Sequence, residues 1–292
     1  MSRQLCLITG TTSGIGRATA RALAADGQHL VMACRDEMRA GELAAELKAA
    51  TGNEAIETLA CDLSSLASVR QAVAEFRARH DRLDLLINNA GTMTTRFQKS
   101  VDGLELTFAA NYLGPWLLTR LLLDSLVAGS AARIVTVASA VHLRGALEPD
   151  SLQAESAEGY SGMAAYARSK LGNVMATFSQ ADLLRDAGVT ANCLHPGVVG
   201  TNITGDTNAL LRVGMKLISP FILSESRGAA TSLYLARDES VDGASGGYYN
   251  ENQQIAEPHP TARDQAARDR LWAWSSEFCG VESEWQPAVR SA

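Results

Sequence analysis

The chain has 292 residues, of which 46% are hydrophobic and 20% are charged, a composition typical of a globular protein. It is long enough to bury a large core without disulfides or a structural metal, and its net charge of −6 gives no electrostatic reason to expect a nucleic-acid partner. The five cysteines are odd in number and lack C-x-x-C spacing, so the sequence predicts buried thiols rather than a metal site or a redox motif.

The first residues lead directly into an apolar strand, without the basic region, apolar core and cleavage site of a signal peptide. No apolar run approaches the ~18 residues that a membrane-spanning helix needs. We therefore expect a cytoplasmic protein without a membrane-spanning segment.

Short apolar segments alternate with longer segments of helical periodicity over the first two thirds of the chain. The segments with strand character are Leu5–Thr9, Leu30–Ala33, Ile56–Cys61, Leu83–Asn88, Ile134–Ala138 and Thr190–His195. Those with helical character include Arg17–Ala25, Glu37–Ala50 and Ser68–Arg79. This alternation predicts an α/β fold, a single Rossmann domain over residues 1–292 with a doubly wound parallel sheet of about seven strands and helices on both faces.

A glycine-rich loop follows the first strand and precedes a helix that is predicted to begin at Arg17. Glycines let the backbone approach a pyrophosphate, and the amides and dipole of a helix N-terminus favour the anion. The spacing G-x-x-x-G-x-G differs from G-x-G-x-x-G and indicates a different branch of nucleotide-binding oxidoreductases. The predicted contacts of this loop with a dinucleotide are Gly10, Thr12, Ser13, Gly14, Ile15 and Gly16.

The end of the second predicted strand bears on the choice of dinucleotide. Arg35 is the first polar residue after the apolar run, and a guanidinium there would bind the 2′-phosphate of NADP. Asp36 lies twenty residues after Gly16, where an acidic residue would bind the ribose of NAD, but it can instead cap the next helix, which has Arg39 in its first turn. We therefore predict NADP(H) rather than NAD(H).

Two more strand ends are predicted to face the dinucleotide, because open parallel sheets bind ligands outside the carboxyl ends of their strands. The carboxylate after the third strand could bind the adenine edge, or it could cap the helix near Ser64. After the fourth strand, small residues leave room for a ribose, and asparagines can pin the strand to its neighbours. The predicted contacts are Asp62, Leu63, Asn89, Ala90 and Gly91.

Tyr166 and Lys170 are four residues apart on a predicted helix, so they share a face. An ammonium ~4 Å from the phenolate, at an effective dielectric of ~20, would stabilise it by roughly 4 kcal/mol. That would lower the tyrosine pKa by about three units to about 7, where general acid–base catalysis is efficient. The same spacing also occurs by chance in ordinary helices. A catalytic role for this pair therefore needs support from other residues predicted to lie near it.

Those neighbours come from three other segments. Ser139 ends the fifth predicted strand, where a hydroxyl that polarises a carbonyl is expected. Asn111 lies in a helical stretch that it could bend, or in which it could hold a water. A Pro-Gly pair after the sixth strand exposes backbone groups for a nicotinamide carboxamide, whereas His195 is interpreted as structural. The predicted cofactor contacts of this segment are Pro196, Gly197, Val199 and Thr201.

Two long segments, near residues 141–162 and 201–226, carry glycine, proline or serine and follow candidate site strands. We expect both to be loops that contact the substrate. The last predicted helix, Asp264–Phe278, carries Trp272 and Trp274, which we expect to pack the chain end rather than bind a ligand.

In their order and spacing these motifs resemble those of the short-chain dehydrogenase/reductase family along nearly the whole chain. The resemblance implies that Tyr166 is the general acid/base, that Lys170 lowers its pKa and binds the ribose, and that both contact the cofactor. It also implies that Ser139 polarises the substrate oxygen and that Asn111 holds a water linking Lys170 to solvent. A homo-oligomer is expected, with the helices after Val101 and at Tyr166 as candidate interfaces.

Within that family the chain looks most like the retinol dehydrogenase and protochlorophyllide reductase group, which generally prefers NADP(H). The segments that carry this likeness are Ala33–Asp36, Asn111–Thr119, Leu194–Val198 and Ala230–Leu235. We therefore expect hydride transfer between NADP(H) and the alcohol or carbonyl carbon of a small lipophilic substrate. Reduction of an activated C=C bond and a non-catalytic dinucleotide sensor stay open as alternatives, whereas the glycine spacing disfavours a sugar-nucleotide epimerase.

Overall fold

The computed structural model describes residues 3–154, 156–197 and 224–285. Its centre is one parallel sheet with the strand order β3-β2-β1-β4-β5-β6-β7. The strands are β1 Leu5–Thr9, β2 His29–Cys34, β3 Ile56–Ala60, β4 Leu85–Asn88, β5 Arg133–Val137, β6 Thr190–Leu194 and β7 Tyr248–Tyr249. This arrangement confirms the predicted doubly wound sheet of about seven strands. The two-residue strand β7 is too short to leave a pattern in the sequence.

The helices that cover this sheet are α1 Gly14–Ala25, α2 Glu37–Thr51, α3 Leu66–Arg79, α4 Leu106–Phe108, α5 Gly114–Val127, α6 Gly162–Leu183, α7 Glu225–Arg237, α8 Pro260–Arg263 and α9 Gln265–Cys279. A π-helical turn, Ala109–Leu113, joins α4 to α5. Helix α1 begins three residues before the predicted start at Arg17, so the last two glycines of the loop belong to its first turn.

Alternate residues of each strand pack into two separate hydrophobic cores, because successive side chains of a strand point to opposite faces of the sheet. On β1, Leu5 and Leu7 pack under one set of helices, while Cys6 and Ile8 pack under the other. All five residues of β1 are buried, which explains why the strand is apolar throughout rather than alternating. The five cysteines are free and buried, as their apolar surroundings predict.

The C-terminal helix α9 covers the side of the molecule formed by α6 and the π-helical turn. The indole of Trp272 meets the indole of Trp116 edge-on at 5.1 Å, and Tyr112 Oη lies 2.7 Å from Ser275 Oγ. The tryptophans of α9 therefore pack the chain end, as predicted. Helix α9 thus packs against α5 and α6, the two long helices proposed as subunit interfaces.

The structure describes the first of the two predicted substrate loops almost completely, and only the end of the second. The segment after β5 is partly regular, because it contains the 3₁₀ turns Ala140–Arg144 and Pro149–Ala154. The sequence did not indicate these turns, since 3₁₀ turns are too short for a periodic pattern. Most of the second segment, together with the predicted cofactor contacts Val199 and Thr201, lies outside the described residues.

Within the described residues, no helix combines the length and the apolar character that crossing a bilayer requires.

Candidate active site

The glycine loop lies at the carboxyl edge of the sheet, between β1 and α1. Gly10 and Gly14 have φ values of 70° and 58°, in the left-handed region that favours glycine. A Cβ on Gly10 would lie 2.8 Å from the Cα of Ala90, so the loop packs directly on the end of β4. Ser13 caps α1 without a side-chain hydrogen bond to its amides. A helix end of this kind, with amides that no side chain caps, favours an anion.

Asn89 braces this loop from the end of β4. Its Nδ2 donates to the carbonyl oxygens of Thr9 and Gly10, at 2.9 and 3.1 Å. Thr9 Oγ1 accepts from the backbone amides of Asn89 and Ala90, each at 3.0 Å. The predicted pinning of strands by asparagine is confirmed. Thr9, which the sequence reasoning missed, completes the brace.

The polar side chains at the ends of β2 and β3 differ in whether they have partners within the protein. Arg35 is exposed and makes no hydrogen bond or ion pair within the described part of the chain. Asp36 caps α2 by accepting from Arg39 N at 3.1 Å, as predicted. One oxygen of Asp62 accepts from the amide and hydroxyl of Ser64, so the local turn uses part of this carboxylate. The side chain of Leu63 is buried, which leaves only its backbone for a ligand.

The carboxyl ends of β4 and β5 and the helix α6 bring the predicted catalytic residues together. Lys170 is 2% exposed, and its Nζ donates to the carbonyl oxygen of Val137 at 2.8 Å. The same Nζ lies 5.6 Å from the centroid of the Tyr166 ring and 3.4 Å from the position of a Cβ on Gly91. Ser139 hydrogen-bonds to Tyr166 from the end of β5. The site therefore brings together two side chains of α6, Tyr166 and Lys170, with Ser139 after β5 and the backbone of Gly91 after β4.

The titration of these groups differs from the sequence-based expectation. Burial raises the pKa of Tyr166 to about 12, and the hydrogen bond from Ser139 lowers it in part. Burial also lowers the pKa of Lys170 to about 8. The expected tyrosine pKa of about 7 is wrong for this arrangement, because it counted the lysine charge but not the cost of removing a phenolate from water. The Tyr166 phenol is protonated at neutral pH.

Replacing Lys170 with Met is expected to change how stability depends on pH. The pKa of Lys170 falls from 10.5 to about 8 on folding, so between these values the unfolded chain holds more protons than the folded protein. The free energy of unfolding of the wild type therefore rises with pH in this window, by about 3 kcal/mol from this group. The variant lacks this contribution. Urea unfolding at several pH values measures it, and curves that run parallel for the two proteins would contradict the burial of this ammonium.

Asn111 lies in the π-helical turn, which confirms the expected departure from regular helix. Its Oδ1 accepts from Thr92 N at 2.7 Å, and its Nδ2 donates to Thr92 O at 2.8 Å and Ser169 Oγ at 3.1 Å. Ser169 Oγ in turn donates to the carbonyl oxygen of Tyr166 at 2.8 Å. The side chain thus ties the loop after Gly91 to the turn of α6 that carries the tyrosine. Its role in holding a water stays a prediction.

His142 supports Ser139, and the sequence reasoning did not identify it. Its Nε2 accepts from the backbone amide of His259 at 3.2 Å, which places the ring proton on Nδ1. Nδ1 donates to the carbonyl oxygen of Ser139 at 2.7 Å. Burial lowers the pKa of His142 and favours this neutral form. Its signal in the sequence is a single histidine three residues after Ser139, which no motif would have marked.

The segment after β6 is described as far as Gly197. Gly197 N donates to His195 Nδ1 at 3.3 Å, and His195 Nε2 lies 3.1 Å from Glu251 Oε2. These contacts agree with the interpretation of His195 as a structural residue. Pro196 and Gly197 are half-buried at the carboxyl edge of the sheet, and the amide of Gly197 is directed to His195. Their contact with a cofactor stays a prediction.

Known proteins resemble this chain in sequence and in fold. Residues 4–211 match the family described as short chain dehydrogenase. Retinol dehydrogenase 12 of Mus musculus is 38% identical over 281 residues, which cover 96% of this chain and 88% of that protein. Polyprenol dehydrogenase of Homo sapiens is 39% identical over 285 residues, covering 95% and 86%. The structure of a candidate NAD(P)-dependent gluconate 5-dehydrogenase from Beutenbergia cavernae, with NADP at low occupancy, is 26% identical, with a TM-score of 0.67 and coverage of 86% and 96%.

Proposed function

The chain belongs to the short chain dehydrogenase family, and on that premise we propose that it transfers a hydride between NADP(H) and the alcohol or carbonyl carbon of a small lipophilic substrate. The observation that carries the proposal is the convergence of Tyr166, Lys170 and Ser139 beside the glycine loop. A protein that only sensed a dinucleotide would have no use for a buried ammonium next to a phenol. A cytoplasmic location and homo-oligomeric assembly are part of the same proposal.

The residues at the carboxyl edge fit a dinucleotide. The glycine loop and the amino end of α1 would hold its pyrophosphate, Asp62 its adenine, and the segment Asn89–Gly91 a ribose. Pro196 and Gly197 would face the carboxamide of the nicotinamide, and Lys170 would bind the adjoining ribose. When bound, the nicotinamide supplies or accepts the hydride.

Side chains of the protein would donate the proton that the substrate oxygen takes up. Because burial keeps the Tyr166 phenol protonated at neutral pH, it can donate its proton to a carbonyl oxygen in the reductive direction. Ser139 Oγ would hold that oxygen in place, and His142 would keep the Ser139 backbone in position. The ammonium of Lys170 would then stabilise the phenolate that remains. Asn111 would hold a water through which the proton is replaced.

Two exposed apolar side chains support a lipophilic substrate. Leu143, 50% exposed, lies four residues after Ser139, and Met163, 54% exposed, lies three residues before Tyr166. Exposed apolar side chains this close in sequence to the proposed catalytic residues would favour an apolar ligand. The names of the relatives, retinol dehydrogenase and polyprenol dehydrogenase, point to alcohols of the same character.

This substrate class is tested by the rate of NADPH oxidation with a series of straight-chain aldehydes. Each methylene that the site buries contributes about 0.8 kcal/mol, so kcat/KM should rise by up to about fourfold per methylene until the site is filled. A short polar aldehyde serves as the control. If kcat/KM is independent of chain length, or favours the polar aldehyde, the substrate is not lipophilic.

Replacing Arg35 with Ala should weaken the binding of NADPH much more than that of NADH. A charge-assisted hydrogen bond to the 2′-phosphate contributes roughly 1.5–3 kcal/mol, which corresponds to roughly a tenfold to hundredfold rise in Kd for NADPH. NADH lacks this phosphate, so its Kd should hardly change. Titration of the tryptophan fluorescence with each dinucleotide measures both constants.

The matched control for this substitution is Arg39→Ala, because Arg39 is an exposed arginine in the first turn of the neighbouring helix. It removes the same charge without removing the proposed phosphate ligand. If both variants weaken NADPH equally, or if Arg35→Ala affects the two dinucleotides alike, Arg35 is not the residue that selects NADP(H).

A further inference from the structure

A group of side chains that could bind a metal lies at the amino edge of the sheet, apart from the proposed active site. His29 begins β2, Glu57 is the second residue of β3, and His80 follows the last residue of α3. The proposed active site lies at the carboxyl ends of the strands, so the length of the strands separates it from this group. No role in dinucleotide binding or hydride transfer requires these residues.

The three side chains converge on one point. His29 Nε2 lies 2.5 Å from Glu57 Oε1, and His80 Nε2 lies 3.3 Å from Glu57 Oε2. One potential ligand atom from each residue lies within 4.8 Å of the other two. Metal–ligand bonds of ~2.0–2.1 Å at a tetrahedral angle place neighbouring ligand atoms about 3.3 Å apart. Small rotations of these side chains would therefore bring all three onto one ion.

The surroundings leave an open position for a further ligand. The three side chains are partly buried, with 29%, 29% and 10% of their surface exposed. His29 and His80 line a cleft of about 490 Å³ that opens to solvent. Three protein ligands with an accessible fourth position, which a water can fill, form a known arrangement for zinc.

A nearby arginine does not compete for the whole carboxylate. Arg79 Nη1 lies 3.0 Å from Glu57 Oε2, and its Nη2 donates to Glu75 Oε1 at 2.9 Å. Glu75 would keep this guanidinium in place if Glu57 turned towards an ion. Arg79 can also remain on the oxygen of Glu57 that does not bind the metal, since ligating carboxylates are usually held by such outer hydrogen bonds. The other two arginines of the cleft have partners of their own. Arg82 is paired with Asp84 at 3.5 Å, and Arg3 donates to Gly27 O and to Asn53 Oδ1.

We propose that His29, Glu57 and His80 bind a divalent transition-metal ion, best matched by zinc, which clamps β2, β3 and the end of α3 together. Two imidazoles and one carboxylate form a ligand set that suits zinc. The sequence carries no metal-binding motif here, because the ligands are separated by 28 and 23 residues.

The test measures the thermal midpoint of the chelator-treated full-length protein with and without ZnCl₂. Zinc at roughly a hundredfold excess over its Kd should raise the midpoint of the wild type by about 5 °C. His29→Asn and His80→Asn should each lose this shift, whereas Asp81→Asn, which changes an exposed carboxylate of the same cleft that is not a proposed ligand, should keep it. Cobalt(II) should give the visible absorption of a tetrahedral site in the wild type and in Asp81→Asn, and both histidine variants should lack this absorption.

Two results would overturn the proposal. In the first, zinc gives no shift in the wild type and cobalt gives no tetrahedral spectrum. In the second, the histidine variants respond to zinc and cobalt as the wild type does, which would place the ion elsewhere on the chain. Two separate histidine variants are used so that a folding defect in one leaves the other as a test.

Discussion

Tyr166→Phe should lower kcat for hydride transfer by roughly 10²–10⁴-fold, while the Kd for NADPH stays close to that of the wild type. The substitution removes the hydroxyl that would give its proton to the substrate oxygen and keeps the ring that packs beside Lys170. Because only the transition state uses this proton, the loss should appear in kcat rather than in cofactor binding. Steady-state kinetics together with a fluorescence titration separate the two quantities.

Tyr160→Phe is the matched control for this variant. Tyr160 lies just before α6, and its hydroxyl is 2.8 Å from Thr94 Oγ1 and from Glu105 Oε1, outside the proposed catalytic group. Its kcat should stay near the wild-type value. A Tyr166→Phe protein that retained most of its activity would show that the proton comes from another group.

Gly16→Ala is expected to damage the dinucleotide site through the backbone. A Cβ on Gly16 would lie 2.1 Å from the carbonyl oxygen of Gly10 and 2.4 Å from Asn89 Nδ2, much closer than atoms can approach. The loop would have to move away from Asn89, which breaks the brace between β1 and β4. Such overpacking costs roughly 1–3 kcal/mol or more of stability, and a displaced loop should weaken NADPH binding at least tenfold.

The control for this substitution is Gly41→Ala. Gly41 lies within α2, and a Cβ added there would have no atom within 4 Å. Alanine is the better helix former, so this variant should gain about 0.5–1 kcal/mol and bind NADPH normally. Thermal unfolding and NADPH titration of both proteins are the measurements. Equal results for the two variants would mean that the loop does not need glycine at Gly16.

The fold follows from the sequence because its main signals are local. Every residue of β1 is buried, so a strand that is apolar throughout indicates a parallel sheet covered on both faces. The glycine loop, the cap at Asp36 and the i, i+4 pair Tyr166 and Lys170 are also readable over a few residues. These elements appear in the structure within three residues of their predicted positions.

Other features of the site were not predictable because they depend on contacts between distant segments. The pKa of Tyr166 depends on how deeply α6 and β5 bury the phenol, and the sequence shows the lysine but not that burial. His142 is joined to Ser139 by a 3₁₀ turn and to His259 by a contact across 117 residues. The group of His29, Glu57 and His80 exists only because three elements end at the same edge of the sheet.

The most direct test of the central claim follows deuterium from the C4 position of NADPH into a long-chain α,β-unsaturated aldehyde. We expect an allylic alcohol with deuterium on the former carbonyl carbon, formed with NADPH much faster than with NADH. Deuterium on the carbon β to the carbonyl would contradict it and would identify a reductase of C=C bonds. Saturable binding of NADPH without any transfer to a series of aldehydes and ketones would also contradict it and would favour a dinucleotide sensor.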